Sequence, residues 1–155
     1  MFSLNLPDFE VRVRRRSDKV FIYDFLRENY YRLTPEEWVR QHFVHYLVEH
    51  LRYPRKLIAN ELQIKLGNTV KRCDSLVYDN ALKPMALIEY KAPTVTISEK
   101  TVRQIMRYNM VLKVPFLFLS NGLEHLAYSI DYDRKGYAAL NHIPAYQELL
   151  EYKQQ

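Results

Sequence analysis

The chain has 155 residues, 48% hydrophobic and 26% charged, which suits one globular domain with a sizeable core and excludes a disordered chain. Its 3 glycines lie far apart, so a P-loop or Rossmann fingerprint is excluded, and a lone Cys73 excludes an internal disulfide or multi-cysteine zinc site. A net charge of +5 is weak support for an anionic partner, and no apolar run approaches the roughly 20 residues of a membrane span or the core of a secretion signal.

Residues 9–13 alternate and predict a short strand, and 19–25 predict a second. Between them Arg12, Arg14, Arg15 and Arg16 form the densest basic stretch. Its plainer reading, which we favour, is a charged guard on a sheet edge. The sharper one is a phosphate-contact patch. Thr34-Pro35-Glu36-Glu37 is a helix start: Thr34 can cap, Pro35 suits the first helical position, and Glu37 completes a capping box. The helix is expected over 35–51, with Val39, Phe43, Tyr46 and Leu47 as its apolar stripe, until Tyr53-Pro54 stops it.

Segments 57–66, 70–78 and 85–91 read as three antiparallel strands, with turns at Gly67-Asn68 and at Asp79-Asn80 before Pro84. Ser98 can cap a second helix, 99–113, with an apolar stripe of Val102, Ile105, Met106 and Met110. Strands follow at 114–120, 125–132 and 137–140, punctuated by Asn121-Gly122 and Gly136. Pro144 opens a last helix containing Tyr146, Leu149 and Leu150. This order predicts a mixed α/β sandwich around one sheet. We expect a single domain over 1–155, with 1–19 and 141–155 as appended ends.

The chemistry concentrates between Asp74 and Lys91. Glu89 and Lys91 are two apart on a strand, so they share a face and interrupt an otherwise apolar run. If the hairpin folds near Ala81-Leu82, Asp74 opposes Glu89 at about 5 Å between β-carbons. Two carboxylates that close repel unless a cation holds them, and Mg²⁺ prefers such oxygen ligands. The Tyr90 carbonyl can add a ligand, and Lys91 can orient a water or stabilise charge on a phosphoryl group. The plain alternative is a cross-strand salt bridge. Gln104 and Tyr108, four apart on the next helix, share a face that can meet this cluster. His42, His45 and His50 lack an evident third metal ligand, and nothing near Cys73 activates a thiolate.

Five strings in this order carry a resemblance: Thr34-Pro35-Glu36-Glu37-Trp38-Val39-Arg40-Gln41, Arg72-Cys73-Asp74-Ser75-Leu76-Val77, Ile88-Glu89-Tyr90-Lys91-Ala92-Pro93, Gln104-Ile105-Met106-Arg107-Tyr108-Asn109 and Ser120-Asn121-Gly122. Over about residues 20–130 the chain resembles the PD-(D/E)XK nuclease superfamily. More closely, it resembles stand-alone relatives of the N-terminal nuclease domain of type I restriction enzyme R subunits. The resemblance implies a restriction-endonuclease-like core, a mixed β-sheet flanked by helices, and a Mg²⁺-dependent (or Mn²⁺-dependent) endonuclease acting on DNA. It implies that Asp74 and Glu89 hold the metal, that Lys91 serves the attacking water, and that Gln104 and Tyr108 form a Gln-x-x-x-Tyr helix motif. It assigns Glu37 to support of the metal site, with Glu61 a rival for that role. Cys73 stands where the superfamily's name puts proline. The expected setting is cytoplasmic, with DNA, a homodimer, or motor, methyltransferase and specificity subunits as partners. A module that keeps the fold and binds without cutting is the alternative.

Overall fold

The computed structural model describes residues 2–152, without the side chains of Leu66, Tyr108 and Val111. Three short strands come first: β1 (Val13–Arg16), β2 (Lys19–Asp24) and β3 (Asn29–Arg32). Helix α1 (Pro35–Glu49) and a 3-10 turn (Arg55–Leu57) lead into β4 (Ile58–Leu66), β5 (Thr69–Tyr78) and β6 (Pro84–Tyr90). Then come α2 (Glu99–Leu112), β7 (Phe116–Ser120), β8 (His125–Asp131), β9 (Gly136–Leu140) and α3 (Tyr146–Glu151).

The expectation of one sheet is corrected. β1, β2 and β3 form their own three-stranded antiparallel sheet, and β4 to β9 form a six-stranded sheet in chain order. The first strand lies at Val13–Arg16, not at 9–13, and β3 was not expected at all. β3 is only four residues long, and its pairing of Tyr31 with Ile22 across a turn holding Glu28 at φ +53° supplies what its sequence alone does not.

In the large sheet only β6 and β7 run parallel, as α2 carries the chain across between them. Alternation sorts the strand residues onto two faces. Ala86, Ile88, Phe116 and Phe118 join Val39, Phe43 and Leu47 of α1 in one core. Leu76, Leu87, Leu117 and Leu119 join Val102 and Met106 of α2 in the other. A sheet covered on both faces explains the near-continuous apolar reading of β6 and β7. Met110, expected in the α2 stripe, is instead exposed.

Both ends lie on this body. Leu4 and Leu6 pack on the α1-side core, and the Asn5 amide donates to Gly122 O at 2.8 Å. Gly122 has φ +87°, where an L side chain is strained, and a Leu4 methyl lies 2.7 Å from where a β-carbon would sit, so glycine is favoured there. At the far end Tyr53 donates its hydroxyl to Pro144 O at 2.8 Å. Among the described residues no helix is long and apolar enough to cross a membrane.

Candidate active site

The site forms where β5 and β6 part. Their register pairs Ser75 with Ile88, and one step further it sets Asp74 across from Glu89. There the Tyr90 amide turns from the ladder and donates to Asp74 Oδ2 at 2.9 Å. Asp74, Glu89 and Lys91 line a cleft of about 770 Å³ with Arg72, Tyr90 and both Glu37 and Glu61. They also line an adjoining cleft of about 380 Å³ with Thr101 and Gln104 of α2. The structure therefore gathers Asp74, Glu89, Lys91 and Gln104, as the sequence predicts. Tyr108 lies in α2, but its side chain falls outside the described residues.

Glu89 is where the electrostatics concentrate. Burial, then the charge of Asp74 and a hydrogen bond with it, push the Glu89 carboxyl up to about 8; Lys91 and Arg40 only partly oppose this. The ion pairs made by Arg27, Arg40 and Arg72 go to Asp24, Glu37 and Glu61, and none reaches Asp74 or Glu89. The plain alternative, a cross-strand salt bridge of these acids with Lys91, is not formed among the described residues.

Glu37 and Glu61 lie in the same cleft but are held differently. Glu37 is buried; it accepts from Arg27 at 3.0 Å and from Gln41 at 3.1 Å, and pairs with Arg40 Nε at 3.4 Å. Its capping box is half formed: Thr34 Oγ1 accepts from the Glu37 amide at 3.0 Å, while the Thr34 amide donates to Arg32 O at 3.1 Å. Glu61 lies opposite Asp74 in the β4–β5 register, yet φ +55° interrupts its strand, and its carboxylate pairs with Arg40 and Arg72. Both acids hold arginines beside the carboxylate pair, and among the described residues no group of three or more His, Cys, Asp or Glu side chains is placed to hold a metal. A two-carboxylate donor set fits Mg²⁺, which is commonly bound by one or two carboxylates with water and substrate phosphate completing the shell.

Sequence reasoning missed the support behind the site. Asn60 Nδ2 donates to Asp24 Oδ2 at 2.9 Å, Ser75 Oγ to Asn60 Oδ1 at 2.6 Å, and Tyr90 Oη to Ser75 Oγ at 2.9 Å. Arg27 Nε closes on Asp24 Oδ2 at 2.6 Å. A buried polar residue inside each strand was the available signal.

The other candidates are packed. His42 Nδ1 meets Trp38 O at 2.8 Å, and burial lowers its pKa. His45 stacks on Phe9 at 4.0 Å. Burial, then Glu89 and Asp74, push the Cys73 thiol up to about 11, opposite to what a nucleophile needs.

A family model described as type I restriction enzyme R protein N terminus matches residues 35–144. No curated protein matches the chain. A solved structure described as a fragment of an HsdR subunit of a type I restriction enzyme, from Vibrio vulnificus YJ016, matches with a TM-score of 0.55 at 22% identity. The match covers 77% of this chain and 25% of that one, so this chain spans about a quarter of its length.

Proposed function

The chain belongs to the family of type I restriction enzyme R protein N-termini, and from that premise we propose that it is a metal-dependent nuclease hydrolysing DNA phosphodiester bonds. Its mixed six-stranded sheet flanked by helices fits the restriction-endonuclease-like fold. The observation that carries the proposal is the pairing of Asp74 with a Glu89 whose charge is held off by burial and by Asp74 itself. Among the described residues that pair makes no salt bridge, while the neighbouring acids make two each.

Asp74 and Glu89, with the Tyr90 carbonyl, would hold Mg²⁺ or Mn²⁺. When bound, such an ion neutralises phosphate charge and acidifies water. Lys91 contributes an ammonium at the mouth of the cleft, where it orients a water and stabilises charge developing on the phosphoryl oxygens. Gln104, across the smaller cleft, positions that water or the phosphate through its amide. Tyr108 shares the helix face of Gln104 and is assigned the same phosphate-side role. Arg72, anchored on Glu61 through Nε, lines both clefts with its remaining donors toward a backbone phosphate. Glu37 and Glu61 fix Arg40 and Arg72 rather than touch the substrate.

The test is cleavage of supercoiled and linear DNA with Mg²⁺ or Mn²⁺. The wild type should cut, and Asp74→Ala and Lys91→Ala should each lose at least about 100-fold in rate. Folded wild-type protein that leaves every DNA form intact sinks the nuclease reading. Because the chain spans about a quarter of the matched HsdR chain, a second reading is an accessory module that binds DNA and cuts only with other subunits. Motor, methyltransferase or specificity subunits are the proposed partners, and a homodimer would supply two sites per duplex. A buried free Cys73 suits the reducing cytoplasm proposed for it.

A further inference from the structure

The small N-terminal sheet has two unlike faces. Its register sets Arg14 beside Phe21 and Phe21 beside Arg32, Arg16 beside Lys19, and Tyr23 beside Tyr30. Alternation therefore puts Arg14, Arg16, Lys19 and Arg32 on one face with Phe21, Tyr23 and Tyr30. Arg12 joins them, its guanidinium 4.2 Å from the Tyr23 ring centre. The opposite face carries Ile22 and Asp24, both fully buried. No acidic residue occupies the basic face at any strand position. Among the described residues none of its five cations takes part in a salt bridge.

We propose that this face is a DNA-backbone docking surface that feeds the cleft holding Asp74 and Glu89. An edge guard would need charge only on the two edge strands, β1 and β3, whereas Lys19 lies on the central strand β2. Arg32 also lines the active-site cleft, so the basic face meets the site at that residue. A concavity of about 440 Å³ lies on the sheet, lined by Arg14, Arg16, Phe21 and Tyr30 among others. Side chains on one strand face repeat every 6.6 Å or so, so the arginines of β1 present a spaced row of cations to a polyanionic backbone. The Tyr23 and Tyr30 rings are covered by Arg12 at 4.2 Å and Arg14 at 4.1 Å, which orients the guanidiniums and leaves those ring faces closed to bases. The contact is thus to phosphate, without base readout. The choice of DNA over another polyanion rests on the nuclease reading of the adjoining cleft.

The test separates the two. Binding of the full chain to a short mixed-sequence duplex is measured by anisotropy with chelator present, across a salt series. Replacing Arg12, Arg14 and Arg16 together by Gln should weaken binding at least about tenfold and reduce the slope of log affinity against log salt by about 2 to 3. Arg134→Gln with Lys135→Gln, in the β8–β9 turn, should change neither. If the triple variant does not melt cooperatively, Arg16→Gln with Lys19→Gln, neither stacked on a ring, takes its place, with a slope reduction of about 2. Wild-type affinity and slope in the substituted protein overturn the surface, as does a wild type that does not bind duplex. An equal loss in the turn variant overturns it too. Cleavage with Mn²⁺ is read separately: an uncut substrate alongside the expected slope change removes the nuclease and keeps the surface.

Discussion

Glu89 sits where an ionised carboxylate is least welcome. Burial and the neighbouring Asp74 raise it from an ordinary value of 4.5 to about 8. The folded protein therefore binds this proton more tightly than the unfolded chain. Stability from this group is fully present below pH 4.5 and is lost as pH rises toward and through 8. Glu89→Gln removes the penalty. Metal-free Glu89→Gln should melt above wild type at pH 8, by about 1 kcal/mol or more, and the gap should close near pH 4, below the ordinary value of 4.5. Mn²⁺ should raise the wild-type melting temperature, by about 2.7 kcal/mol of stability at a hundredfold excess over its dissociation constant, and leave the variant unmoved. Differential scanning fluorimetry at both pH values decides it. A variant that melts lower at pH 8, or a wild type indifferent to Mn²⁺, removes the cation-binding role of the pair. Asp74, Glu89 and Lys91 were readable in advance because two-residue periodicity and one hairpin fix their facing. The positions of Glu37 and Glu61 were not, because each depends on arginines from other elements.

Helix α1 shows how a local signal can be right about an element and incomplete about a residue. Thr34 and Pro35 start it as the sequence predicts, and Thr34 Oγ1 holds the Glu37 amide. Thr34→Ala should cost about 1 kcal/mol in urea unfolding, with Thr34→Ser restoring most of it. An unchanged midpoint would mean that tertiary contacts alone set this helix start. Glu37 reads locally as a capping acid or a site acid; its carboxylate ties Arg27 to Arg40 at the wall of the cleft that holds Asp74 and Glu89. That could not be seen locally, since Arg27 precedes the helix by a turn and a strand. The same limit explains β3. Asn29–Arg32 carries no hydrophobic alternation of its own, and only pairing with β2 makes it a strand. The strands of the large sheet were legible because both turns and apolar runs marked them. Its two-sided burial followed only once α1 and α2 were seen on opposite faces.

Across the whole molecule, one buried polar chain joins the small sheet to the large one. It runs from Arg27 and Asp24 through Asn60 and Ser75 to the Tyr90 hydroxyl. Each large-sheet member is next in sequence to a site acid: Asn60 to Glu61, Ser75 to Asp74, Tyr90 to Glu89. The sheet thus carries its polar anchor on one face and its reactive carboxylates on the other, so anchor and site share backbone. Burial alone would raise the Asp24 pKa, but hydrogen bonds from Asn60 and Arg27, with the charge of Arg27, outweigh it and hold it below its ordinary 3.8. With the folded value depressed, this group's stabilisation is present above pH 3.8 and is lost as pH falls through the folded value. Asp24→Asn should therefore cost about 3 kcal/mol or more at pH 7, and the gap to wild type should narrow steadily below pH 4 or so. Urea titrations at several pH values measure this, and a gap independent of pH would show that Asp24 contributes by shape rather than charge. Because the anchor sets the backbone under Asp74 and Glu89, the folded variant should also cut DNA more slowly at saturating metal. Its substrate affinity should stay unchanged, since the basic outer face of the small sheet keeps every cation.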